Sequence, residues 1–151
     1  MFRGISHIAI DNKGRIAIPA KYREMIAEQA NSQMVLTVDH TDDCLLLYPM
    51  NQWVKFEQTL MALPNMNRRV RNMQRLLLGH AAELELDTQG RLLLPTPLRD
   101  YAHLDKRAVL VGQANKFELW DEERWFSARE TWLQEAQDDE DAHDLLNQVS
   151  M

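Results

Sequence analysis

Asp11-Asn12-Lys13-Gly14-Arg15-Ile16-Ala17-Ile18-Pro19-Ala20-Lys21-Tyr22-Arg23 returns 76 positions later as Asp87-Thr88-Gln89-Gly90-Arg91-Leu92-Leu93-Leu94-Pro95-Thr96-Pro97-Leu98-Arg99. Both stretches read D-x-x-G-R-φ-φ-φ-P-x-x-φ-R, with φ an apolar residue. At about 5% usage per residue type, five identities at one offset arise by chance with a probability on the order of 10⁻⁶, before allowance for the choice of offset. A repeat with this spacing governs the architecture and is read before any other feature.

The physics of one copy is legible outward from the turn. Ile8 and Ile10 alternate with Ala9, and Leu84 and Leu86 with Glu85, which is the period of a half-buried strand. Asp11 and Asp87 are predicted to accept backbone N–H bonds across the turn, and Gly14 and Gly90 to take the left-handed conformation of a short hairpin. Pro19 and Pro95 end the return strand and open a helix. The likeness continues from Val35-Leu36-Thr37-Val38 to Val109-Leu110-Val111-Gly112, and from Leu47-Tyr48-Pro49 to Leu119-Trp120-Asp121. Each half therefore reads strand, turn, strand, short helix, strand, strand, helix. Two halves too small to close a core alone are expected to pack against each other.

Between the halves the spacing predicts helices over Asn51–Leu63 and Asn67–Leu78, with Gly79 as a C-cap. The second carries Val70, Met73, Leu76 and Leu77 on one face and Arg68, Arg71 and Arg75 on another. A third helix is predicted over Glu122–Gln134, followed by an acidic polar run expected to fray. The domain plan is thus 1–50 as first repeat, 51–79 as linking helices, 80–121 as second repeat, 122–135 as C-terminal helix, and 136–151 as a flexible acidic tail.

The chain has 151 residues and a formal net charge of −6, which at face value argues against nucleic acid. That charge is unevenly placed. Residues 1–23 carry Arg3, Lys13, Arg15, Lys21 and Arg23 against Asp11, whereas residues 121–151 carry 2 basic and 10 acidic side chains. The first hairpin is also more basic than the second, because Lys13 becomes Gln89 and Lys21 becomes Pro97. A hairpin with Lys and Arg at its turn suits DNA phosphates and base edges, and the arginine fork matches guanine O6/N7. One hairpin supplies only about two to four cationic contacts, so tight binding requires several copies acting on repeated sites. The arginine face of the second linking helix is expected to pair with acidic groups on a neighbouring copy or on the tail.

Other chemistries find little support. The stretches without charge are too short for a membrane helix, and the N-terminus lacks a signal-peptide core. A single cysteine, Cys44, fits a reducing cytoplasm and reads as a core residue. The five histidines form no metal-binding spacing, and no hydrolase or nucleotide-binding motif occurs. No cofactor, metal, small-molecule substrate or membrane partner is expected, and a small hydrolase ranks last.

The paired D-x-x-G-R signatures, the N-terminal Met-Phe-Arg-Gly, Gln74-Arg75-Leu76-Leu77-Leu78-Gly79-His80-Ala81, and Val111-Gly112 through Lys116-Phe117-Glu118-Leu119-Trp120 together resemble the MraZ family over about residues 1–135. The resemblance implies an α+β fold of two tandem swapped-hairpin half-barrels of AbrB type, forming one pseudo-twofold β-barrel with flanking helices. It also implies a homo-oligomeric ring that binds direct repeats of double-stranded DNA in its own promoter. Such a protein represses the division and cell-wall gene cluster from the cytoplasm, in association with the nucleoid. Its DNA contacts would map to Lys13 and Arg15, with support from Arg91. Arg3, Lys21 and Arg23 are added on charge clustering, and Asp11, Gly14, Asp87 and Gly90 are assigned to turn geometry. The alternative is an AbrB-type antidote or protein-interaction module that uses the acidic C-terminal segment.

Overall fold

A computed structural model describes residues 1–149. It divides into two compact units, residues 1–121 and the segment from Glu122 onward. The first unit contains β1 (Phe2–Ala9), β2 (Arg15–Ala17), α1 (Ala20–Ala30), β3 (Gln33–Val38), β4 (Leu45–Pro49), α2 (Met50–Met61), α3 (Arg68–Gly79), β5 (Ala82–Glu85), β6 (Arg91–Leu93), α4 (Thr96–Tyr101), β7 (Arg107–Ala114) and β8 (Phe117–Asp121). The order of elements is the one the repeat predicts. The helix ends shift by one or two residues. Asn67 caps α3 by accepting from the Arg69 N–H at 2.8 Å, while Gly79 is the last helical residue and His80, rather than Gly79, is the cap.

The strands pair in the order β1-β7-β8-β4-β3-β5, with β2 and β6 forming a separate two-stranded ribbon. Exchanging each strand of the first repeat for its counterpart in the second reverses this order and leaves it otherwise unchanged. A pseudo-twofold axis therefore relates the repeats. The first strand of each repeat pairs with the third strand of the other, as in Ile5↔Val111 and Met34↔Leu84. That exchange is the swapped hairpin, and it ties both repeats of the α+β fold into one compact unit. The hydrogen-bonded strands do not close into a single barrel: among the described residues β1 and β5 are sheet edges, and the ribbon is a second layer.

Side chains alternate across β3 and β4. Met34, Leu36, Val38, Leu45 and Leu47 face the main core, while Val35, Leu46 and Tyr48 pack with Trp53 and Leu60 of α2 and Leu77 of α3. Burial on both faces accounts for the unbroken apolar run Leu45–Tyr48. The main core lies between the six-stranded sheet and a layer formed by α1, α4 and the ribbon, whose Ile16, Ile18, Leu92 and Leu94 are almost fully buried. Phe2 stacks on Phe117 with ring centroids 4.3 Å apart, and Tyr22 meets Phe117 edge-on at 5.0 Å. This aromatic cluster joins the two repeats at their interior.

In the second unit, α5 (Glu122–Asp138) runs four residues further than the spacing predicts, and α6 (Glu140–Val149) follows it. The run expected to fray is thus helical to Val149, because Ala142, Leu145, Leu146 and Val149 recur at helical spacing within it. Residues 150 and 151 of that expected tail lie outside the described residues. Trp125 and Trp132 meet edge-on at 5.6 Å within α5.

Candidate nucleic-acid interface

The two hairpin turns have the same construction. Asp11 Oδ1 accepts from the Lys13 N–H at 2.9 Å and the Arg15 N–H at 2.8 Å, and Asp87 Oδ1 accepts from Gln89 and Arg91 at the same two distances. The other carboxylate oxygen takes the arginine side chain, with Arg15 Nε to Asp11 Oδ2 at 2.7 Å and Arg91 Nε to Asp87 Oδ2 at 2.9 Å. Gly14 and Gly90 adopt φ of +84° and +75°, which a side chain would strain. The backbone N–H of Arg15, with help from its side chain and from the Lys13 N–H, pulls the Asp11 carboxyl down to about 2; Asp87 is lowered by the same kinds of bonds. Both carboxylates are therefore ionised at neutral pH and hold the arginines that follow. Because each pairing engages Nε, the two Nη groups of Arg15 are left without a partner among the described residues.

The turns sit on the β2–β6 ribbon, where Arg15 opposes Leu93, Ile16 opposes Leu92 and Ala17 opposes Arg91. Ile16 and Leu92 are equivalent positions, so the pseudo-twofold axis passes between them. Ile18 N–H donates to the Gly90 carbonyl and Leu94 N–H to the Gly14 carbonyl, both at 2.9 Å, so each strand extends to the turn of the other repeat. Alternation puts Ile16 and Leu92 in the core and turns Arg15, Ala17, Arg91 and Leu93 to the opposite face. Arg15 and Arg91 are diagonal neighbours there, with Cα atoms about 7–8 Å apart.

Arg99 and Arg23 complete the site by crossing the axis. A side chain at Gly14 would meet the Arg99 guanidinium, 2.7 Å from its carbon, and a side chain at Gly90 would meet that of Arg23. Each helix arginine therefore covers the turn of the other repeat. Arg23 also donates from Nε to the Ile18 carbonyl at 2.6 Å, whereas Arg99 donates from Nη to Thr96 Oγ1 at 2.9 Å and its buried Nε has no acceptor. Arg23 was expected beside Lys13 and Arg15; the structure puts it at the second turn, and Arg99, absent from the expected set, at the first. No local signal reveals this, because the contact spans more than 60 residues and follows from the strand exchange. The only trace is that the repeated motif ends on an arginine in both copies.

Arg3 and Lys21 fall elsewhere. Arg3 is near the start of β1, about 20 Å along the strand from Ala9. Lys21 Nζ lies 4.9 Å from the centre of the Tyr22 ring and beside Gly4, and the Tyr22 hydroxyl donates to the Arg3 carbonyl. These two cations belong to the Phe2 end of the sheet rather than to the turns. The ribbon keeps Lys13, Arg15, Arg91, Arg23 and Arg99 against Asp11 and Asp87.

This symmetric ribbon, assembled from one chain, can be set against known proteins. The model of the MraZ protein family, whose description adds "antitoxin-like", matches twice, over residues 1–76 and 77–148, and so divides the chain near the boundary that the repeat implies. The chain belongs to the MraZ family. It is similar to Transcriptional regulator MraZ of Thioalkalivibrio sulfidiphilus, with 53% identity over the full length of both chains. It is also similar to Transcriptional regulator MraZ of Shewanella sediminis, 59% identical over 83% of this chain and 82% of that one.

Two MraZ repeats in one chain explain why both ribbon strands are covalently linked. They also explain how the copies diverge on a common backbone: Lys13 against Gln89, and Ala17 against Leu93. Outside the ribbon, Cys44 is fully buried, with its sulfur 3.6 Å from Asp39 Oδ2. Burial first, then the charges of Glu118 and Asp39, pushes its thiol far above the usual range. It packs as a buried core residue. No helix among the described residues is long and apolar enough to cross a membrane.

Proposed function

We propose that this protein is a sequence-specific, DNA-binding transcriptional regulator that represses its own promoter and the division and cell-wall genes behind it. The observation that carries the reading is the β2–β6 ribbon with its turns: Arg15 and Arg91 on the solvent face of a two-stranded element backed by Ile16 and Leu92, Lys13 in the first turn, and Arg99 and Arg23 packed over the two turns, around the carboxylates of Asp11 and Asp87. The major groove of B-DNA admits a two-stranded ribbon. Arg15 reads a base edge or clamps a phosphate with its Nη pair, and Lys13 adds phosphate affinity. Arg91 supports from the second turn, where Gln89 removes one charge. Asp11, Gly14, Asp87 and Gly90 hold the turns.

One ribbon is too small for tight binding at physiological salt, so the functional form is a homo-oligomeric ring that places several ribbons on direct repeats. Its place of action is the cytoplasm, on the nucleoid. The curated relatives carry the name of transcriptional regulators, which supports the regulatory role and a non-enzymatic one.

The test is a gel shift with the duplex upstream of this gene and a scrambled duplex, across salt concentrations. The upstream duplex is expected to bind more tightly. Its log–log salt slope should be steeper than about −4.5, the most that five cations of one ribbon yield at about −0.9 per phosphate. Equal affinity for both duplexes overturns sequence-specific binding, and a shallower slope overturns the joint action of several ribbons.

A further inference from the structure

The solvent face of the ribbon is symmetric in charge but not in apolar character. The pseudo-twofold axis exchanges Arg15 with Arg91 and Ala17 with Leu93. Ala17 offers a single methyl. Leu93 is 57% exposed, directly opposite Arg15 and beside Arg91 on the same face. It is the one large apolar side chain among these four positions, opposite Arg15 in the register and two residues from Arg91 on the same strand. The main core takes Leu92 and Leu94 on either side of it and leaves Leu93 out.

Resting on the DNA-binding reading above, we propose that Leu93 is a specificity-determining residue that contacts the C5 methyl group of a thymine. The thymine methyl is the apolar feature of the major-groove edge, and apolar side chains are its usual partners. A ribbon inserted by Arg15 and Arg91 carries Leu93 to base-edge depth beside Arg15, whereas Ala17, beside Arg91, is too short to fill the equivalent space. The thymine is therefore read on one side of the axis only. Were the ribbon fully symmetric, it would bind a site equally well in either direction. With Leu93 on one side, and with Lys13 in one turn where the other has Gln89, it binds in one direction. That gives each copy a fixed polarity along the DNA, as head-to-tail sites require.

Deoxyuridine differs from thymidine only by the missing methyl and supplies the test. A duplex is enriched from a randomised pool by the native protein, and each thymine is then replaced in turn by deoxyuridine. Native protein is expected to lose about fourfold in affinity at one thymine per repeat unit, the value of one buried methyl-sized group. Leu93→Ala should bind the thymine and deoxyuridine duplexes equally, near the affinity of native protein for the deoxyuridine duplex. The proposal is overturned if no single methyl matters to native protein, or if the same methyl matters equally to Leu93→Ala. It is also overturned if Leu93→Ala alters the mass of the assembly in sedimentation, which would place the leucine between copies. A native protein that enriches no sequence from the pool refutes the DNA-binding reading itself, an outcome distinct from the others, and this proposal falls with it.

Discussion

Arg15→Ala is expected to abolish binding to the upstream duplex at physiological salt while leaving the protein folded. A bidentate arginine–base contact is worth about 1–3 kcal/mol. Because a ring engages several ribbons at once, the loss is multiplied, and two engaged ribbons already give about 2–6 kcal/mol, or roughly 30-fold to 10⁴-fold. The fold tolerates the change. The Arg15 side chain is about a quarter exposed, and its pair with Asp11 is a solvent-screened surface ion pair that contributes little to stability. Asp11 keeps its bonds to the backbone N–H groups of residues 13 and 15, which do not depend on the side chain. Gel shift and circular dichroism together check the prediction. Retained binding removes Arg15 from the interface, and an unfolded variant shows that its role is structural.

The largest effect on stability is expected from Phe117→Ala. Phe117 is fully buried and packs against Phe2 and Tyr22 of the other repeat. Truncation removes the ring's burial and leaves a cavity where the repeats join, at a cost of about 3–5 kcal/mol. For a unit of this size that lowers Tm by roughly 10–25 °C. Met66→Ala, at a position 92% exposed on the α2–α3 connection, should stay within about 0.5 kcal/mol of native. Urea and thermal denaturation read both. A loss below about 1 kcal/mol for Phe117→Ala would mean that the aromatic cluster does not hold the repeats together.

Elements formed by local chemistry were legible before the structure. Asp11 and Gly14 specify their turn through bonds spanning two to four residues, and Ile16 between Arg15 and Ala17 shows by alternation which side faces the core. Partnership between elements was not legible in the residues themselves. Periodicity marks β1 and β7 as strands but contains nothing that pairs Ile5 with Val111; the swapped hairpin was implied only by the family resemblance, and the register bears it out. The same limit misplaced the cations. Grouping Arg3, Lys21 and Arg23 with Lys13 and Arg15 treats neighbours in sequence as neighbours in space. The swap carries Arg23 to Gly90 and brings in Arg99 from the second repeat. Barrel closure, too, depends on which strand edges meet, and β1 and β5 end as edges. In the C-terminal segment the density of acidic residues obscured the spacing of Ala142, Leu145, Leu146 and Val149 that makes α6.

The central claim, that the β2–β6 ribbon is the surface that meets DNA, is tested most directly by photo-cross-linking. A photoreactive side chain is placed at Ala17, exposed on the ribbon face, and in a second sample at Phe126, half exposed on α5. After irradiation with the upstream duplex, a covalent protein–DNA adduct is expected from position 17 and none from position 126. An adduct from position 126 with none from position 17 would contradict the account.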